Sequence, residues 1–97
     1  MQVTFRTNEL QQAYEKQVDA VRLWGETLAR RYVQRVDILH AAKAADDLFK
    51  IPPLKFHPLT ARRKGQYALV LDGQMRLIVT FTDPTMTIVR VDEVSDQ

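Results

Sequence analysis

The paired prolines Pro52–Pro53 divide this chain into two halves with different periodicities. Proline has no amide hydrogen and its ring clashes with the preceding helical turn, so a helix arriving from the N-terminal side must stop there. Before the pair, apolar residues recur every three or four positions; after it, they alternate. Helices first and strands afterwards point to an α+β fold, with two N-terminal helices packed on one face of a mostly antiparallel sheet of roughly four to five strands.

The first half opens on a short β-prone stretch, Val3–Phe5, followed by Thr7–Asn8, a good helix N-cap. Leu10, Ala13, Tyr14 and Val18 then recur at helical spacing and mark a first amphipathic helix. A second helix is expected over residues 21–45, with Leu28, Tyr32, Val36 and Leu39 as its buried stripe and Ala29, Val33 and Ala42 beside it. Arg30, Arg31, Gln34 and Arg35 fall largely on its other face. Gly25 marks either a tight turn or a helix–helix contact. Asp46–Asp47 opens one more short turn.

The second half reads as hairpins. Residues 54–58 are a candidate strand, and residues 67–71 another with Tyr67, Leu69 and Leu71 on one face. Asp72–Gly73 is a strong hairpin signal. Residues 75–82 return with Met75, Leu77, Val79 and Phe81 toward the core. Asp83–Pro84 makes the next turn, and residues 86–91 form the last strand.

A chain of 97 residues is one domain, spanning 1–97, with room for one core and a shallow cleft. There is no cysteine, which excludes disulfide scaffolds and cysteine-based zinc sites. No apolar run has the length of a signal peptide or a membrane span, so a soluble cytoplasmic protein without membrane contact is expected. Net charge is only +2, but its distribution is uneven. Between Leu54 and Thr82 stand Lys55, Arg62, Arg63, Lys64 and Arg76 against Asp72 alone, while Asp92, Glu93 and Asp96 crowd the tail. A basic middle suits a polyanionic partner.

Arg76 interrupts an apolar strand and lies on the face opposite Leu77 and Val79. On spacing alone it is either a solvated residue or a guanidinium offered by a rigid strand to a phosphate, which its planar fork can grip with two parallel hydrogen bonds. His57, in Lys55–Phe56–His57–Pro58–Leu59, is either a satisfied structural histidine or a general acid or base. His40, late in the second helix, is expected to pack against the sheet or bind carbonyls at the helix end. With no carboxylate at ligand spacing beside either histidine, no metal site is expected. The loop Thr60–Ala61–Arg62–Arg63–Lys64–Gly65–Gln66–Tyr67 combines three consecutive cations with an aromatic, as single-stranded RNA recognition does, although a run of this kind is commonly only a solvated surface. Trp24 is expected to pack between helices. No Gly-rich phosphate loop, Gly-x-Ser-x-Gly or His-Glu-x-x-His motif occurs.

The run Leu54-Lys55-Phe56-His57-Pro58-Leu59, then Arg63-Lys64-Gly65-Gln66-Tyr67, then Met75-Arg76-Leu77-Ile78 with Phe81 resembles the HigB-type toxins of the RelE/ParE superfamily. The stretches Ala29-Arg30-Arg31-Tyr32-Val33-Gln34-Arg35 and Val89-Arg90-Val91-Asp92-Glu93-Val94-Ser95 resemble it too, so the likeness covers nearly the whole chain. It implies a RelE-like fold and the toxin of a type II toxin–antitoxin system: a metal-independent endoribonuclease, with no small-molecule cofactor, that cuts mRNA on the translating ribosome and is neutralised by a cognate antitoxin. Carried over residue by residue, His57 would be the acid or base, and Arg63 and Arg76 would hold the scissile phosphate. Lys55, Arg62 and Lys64 would bind the RNA backbone, and Tyr67 would stack on a base or simply pack. The nucleophile would be the ribose 2′-OH, so DNA would not react.

The sequence departs from the family pattern in three places. Relatives often carry a Tyr or His just after the last strand, where this chain reads Ser95-Asp96-Gln97. Arg62 stands where relatives often have an acid, and Thr60 where many have Lys. The first departure leaves open a shortened chain, a replaced residue or a weakened nuclease that mainly binds its antitoxin. It also leaves a second class of function, since ParE-like members of the superfamily inhibit DNA gyrase without cutting RNA.

Overall fold

In the computed structural model, which describes residues 1–60 and 65–96, the first strand, β1 (Gln2–Phe5), lies parallel to the last, β5 (Ile88–Ser95). Between them in sequence come β2 (His57–Pro58), β3 (Gln66–Asp72) and β4 (Met75–Phe81). The five form one mixed sheet in the order β1-β5-β4-β3-β2, with every pair but the first antiparallel. Helices α1 (Asn8–Glu15), α2 (Gln17–Trp24) and α3 (Glu26–Ala41) and a single turn, α4 (Ala45–Phe49), account for the helical half.

The core lies between the helices and one sheet face. Leu69, Leu71, Leu77, Val79, Val89 and Val91 meet Leu10, Ala13, Ala29, Tyr32, Val36 and Leu39, all buried. Met75, Tyr67 and Phe81 are partly buried against the same core, so the alternation read for β3 and β4 holds. The α1 cap holds as well, since the Thr7 hydroxyl accepts from the Leu10 amide at 3.2 Å. The Met1 ammonium donates to the carbonyls of Leu39, His40 and Ala42, where α3 runs out of amide partners.

Several expectations need correction. The helical half is broken at Lys16, which is extended at φ −127° and ψ 104°, and at Gly25, whose φ of 83° suits a residue without Cβ. The break at Lys16 resets the helical phase, so Val18 falls outside the buried stripe of α1 and is 64% exposed. The helix expected over 21–45 is two helices and a turn. Arg35 is buried rather than on the solvated face: its stem lies along the sheet, Nε donates to the Val70 carbonyl at 2.9 Å, and Nη1 donates to Gln34 Oε1 at 3.3 Å. Burial first, and then the like charge of Arg31, lowers its pKa. His40 is exposed and stacks on Tyr14 at 5.6 Å instead of meeting the sheet. Trp24 packs on Tyr32 as expected, with ring centroids 4.6 Å apart.

The strand expected over 54–58 shrinks to two residues. Pro52–Leu54 form a 3-10 turn, Lys55 follows in the left-handed region at φ 46°, and Pro58 has no amide to continue a ladder. The last strand starts later and runs further than its expected 86–91. Asp83 holds the chain in a turn as far as Ile88, accepting from the amides of Thr87 at 2.9 Å and Ile88 at 2.8 Å.

Candidate functional site

The helices cover one face of the sheet, and strand pairing fixes what the other face carries. In one row His57, Ala68, Ile78 and Glu93 are neighbours across β2, β3, β4 and β5. The row toward the β3–β4 turn is Val70, Arg76 and Ser95, and the row on the other side is Gln66, Thr80, Arg90 and Thr4. Ala68 and Ile78 are fully buried although they face away from the core. Covered and without accessible surface of their own, they make a small buried apolar floor between His57 on β2 and Arg76 on β4. Strand geometry places the Cα atoms of His57 and Arg76 about 12 Å apart, so both flank a group seated over that floor.

The backbone sets the state of His57. Its Nδ1 lies 2.7 Å from the Lys55 carbonyl oxygen, which only accepts, so Nδ1 carries the proton. The left-handed turn at Lys55 brings that carbonyl back to the ring. In the neutral imidazole Nε2 then holds the free lone pair, as a proton acceptor requires. Arg76 is half-buried on its strand, and its Nη1 donates to the Gln74 carbonyl at 2.6 Å. That contact aims the fork while leaving its other donors available.

Lys55 is exposed beside His57. Tyr67 is not with them. It lies on the helix-covered face, stacked on Phe56 at 5.0 Å and 9° and edge-on to Phe81 at 5.4 Å. Of the two roles left open for it, the structure supplies the packing partners. Arg62, Arg63 and Lys64 lie outside the described residues. Among those described, no three His, Asp or Glu side chains come together as a metal-ligand set, and no helix is long and apolar enough to cross a membrane.

Sequence reasoning missed a group around a β-bulge in β5. Val79 pairs with Val91 and Ile78 with Glu93, so Asp92 is an extra residue between them. Its carboxylate, fully buried on the open face, accepts from Gln66 Nε2 at 2.8 Å, Thr80 Oγ1 at 2.5 Å and Arg90 Nε at 2.6 Å. The signal was present in Val91-Asp92-Glu93-Val94, where two consecutive polar residues interrupt an alternating strand.

The same fold occurs in solved structures. YafQ from E. coli strain BL21(DE3) aligns with a TM-score of 0.66 at 17% identity, over 99% of this chain and 92% of that one. A mutant of YafQ from E. coli aligns with a TM-score of 0.63 at 18% identity, over the same shares of the two chains. No curated protein sequence matches. A sheet of this order with its helices on one face is thus the α+β architecture of the RelE-like toxins. The family model of the HigB-like toxins, described as the RelE-like toxin of the type II toxin-antitoxin system HigB, matches residues 3–93, and the chain belongs to that family. It is a toxin of a type II system, whose partner is an antitoxin.

Proposed function

We propose that this toxin is a metal-independent endoribonuclease that cuts mRNA on the ribosome and so inhibits translation. RelE-like toxins are generally endoribonucleases. The observation that carries the reading is the pairing of His57, its Nδ1 tied to a carbonyl, with Arg76 across the buried Ala68–Ile78 floor.

The chemistry follows from those groups. A phosphodiester over the floor has its adjacent ribose 2′-OH within reach of His57 Nε2. As Nε2 takes the proton, the 2′ oxygen bonds to phosphorus and the bond to the 5′ oxygen breaks, and that oxygen takes up a proton from water, leaving a 2′,3′-cyclic phosphate and a 5′-hydroxyl. Arg76 offsets the charge that builds on the phosphoryl oxygens, and Arg63 is assigned the same role. Lys55, Arg62 and Lys64 are assigned to the RNA backbone. No step uses a metal, and DNA lacks the nucleophile.

Primer extension on mRNA from a translation extract tests this, with naked mRNA run in parallel. Discrete new 5′ ends that need ribosomes, and that vanish with a folded His57→Ala chain, are expected. Cuts that persist in that variant would remove His57 from the mechanism, and no cuts from folded wild-type chain would overturn the reading.

A further inference from the structure

Arg90, at the far end of the polar row Gln66–Thr80–Arg90, is too far from His57 to share its phosphate. Arg90 stands three strands and two residues away, about 16 Å between Cα atoms. Yet its guanidinium is fixed in place. Asp92 is buried with three donors on its two oxygens, one of them Arg90 Nε. That single bond to Oδ1 neutralises the carboxylate, and Thr80 and Gln66 both donate to Oδ2. Both Nη nitrogens of Arg90 are left without a hydrogen bond to any described residue, on a side chain that is 41% exposed.

A residue serving only as counter-ion gains most by turning its fork onto the carboxylate in bidentate fashion. Here the approach is through Nε alone, and the fork faces out of the sheet. Its surroundings on that face are the hydroxyls of Thr80 and Thr4 in its own row, with Glu93 on the far side of the bulge. We infer that Arg90 is a second phosphate-binding residue, held in place by Asp92 for an RNA backbone that crosses the open face from His57 over Thr80 toward β1. This rests on the proposed ribonuclease reading and adds a contact to a phosphate other than the scissile one.

The test is binding of a short 2′-O-methyl oligoribonucleotide, which lacks the nucleophile and stays intact, followed by fluorescence anisotropy over a range of salt. The variant is Arg90→Gln with Asp92→Asn. It keeps the net charge unchanged and replaces the buried ion pair with a neutral one, so a loss of binding reports the local contact and not the overall field. Its affinity should fall roughly tenfold, and the slope of log K against log salt should flatten by about 0.7, the share of one single-strand phosphate contact. Arg90→Lys should recover the slope, and Arg22→Gln on α2 should match wild type. A double variant with wild-type slope and affinity would make Arg90 a counter-ion only and overturn the inference. A folded wild-type chain that does not bind the oligonucleotide would overturn this inference, whereas the ribonuclease reading is overturned only by the absence of cuts in the primer-extension assay.

Discussion

The buried hydroxyl of Tyr32, on α3, donates to the carbonyl of Leu10, on α1, at 2.7 Å. The residue is fully buried, and loss of hydration pushes its pKa far above that of a free phenol. A Tyr32→Phe chain keeps the ring against Trp24 but loses the link between helices. It should unfold about 1 kcal/mol more easily in urea, with an unchanged m-value. A wild-type midpoint would show that the bond contributes nothing to stability.

Arg76 and Leu77 are adjacent on β4 but face opposite ways, and their substitutions should separate function from stability. Leu77→Ala removes a fully buried side chain and should cost about 2–5 kcal/mol. Arg76→Ala touches no core and should stay within about 0.5 kcal/mol of wild type. Its cleavage of ribosome-bound mRNA should nevertheless fall by about 10²-fold, comparable to losing one oxyanion donor. Full activity in a folded Arg76→Ala chain would take this arginine out of the site.

Asp83 organises the turn into β5. It accepts from the hydroxyls of Thr85 at 2.6 Å and Thr87 at 2.7 Å as well as from the two backbone amides. The Thr85 hydroxyl, then that of Thr87, then the amides of Ile88 and Thr87 hold its carboxyl well below the ordinary 3.8. A carboxyl with a depressed folded pKa contributes stability above its unfolded pKa, and that contribution fades as pH falls through the folded value. Asp83→Ala should therefore lower Tm at neutral pH, and the gap from wild type should narrow as pH drops below 3.8. A gap that stays constant into strong acid would mean that the charge is irrelevant.

Tyr14 donates to Asp37 Oδ1 at 2.5 Å, joining the end of α1 to α3. That bond first, then burial and the nearby negative charge, raise its pKa to about 12 from 10.0. A raised tyrosine pKa means stability that is complete below 10.0 and lost as pH climbs toward about 12. Phenolate absorbance should show this residue ionising near pH 12. In Asp37→Asn its titration should move down toward 10.0, and an unmoved curve would rule out Asp37 as the cause.

The features legible in the sequence are those written in local chemistry. Thr7 caps α1, Pro52–Pro53 stops the helices, and Asp72–Gly73 turns β3 into β4, because each acts on its own backbone. The break at Lys16 has no such mark, since no Gly or Pro stands there, and beyond it α2 packs against α3. Arg35 was misplaced for a related reason, since its burial depends on a Val70 carbonyl distant in sequence. In the candidate site, alternation was enough to set Arg76 opposite Leu77. Whether His57 shares its face depends on the pairing of His57 with Ala68, which no local pattern encodes. The Asp92 cluster was missed because the last strand was expected to end at Val91, and the bulge that turns Asp92 onto the open face lies just beyond it.

The parallel pairing of β1 with β5 sets a schedule for this toxin's own synthesis. Residues 2–5 emerge before the other strands of the sheet, and their partners 88–91 emerge after β2, β3 and β4. Until then Val3 and Phe5 have no strand beside them, and β4 keeps a bare edge open to wrong pairings. The surface that carries His57 and Arg76 is braced on both sides only once β5 has emerged and paired with β4, so the candidate site is the last part of the sheet to become rigid.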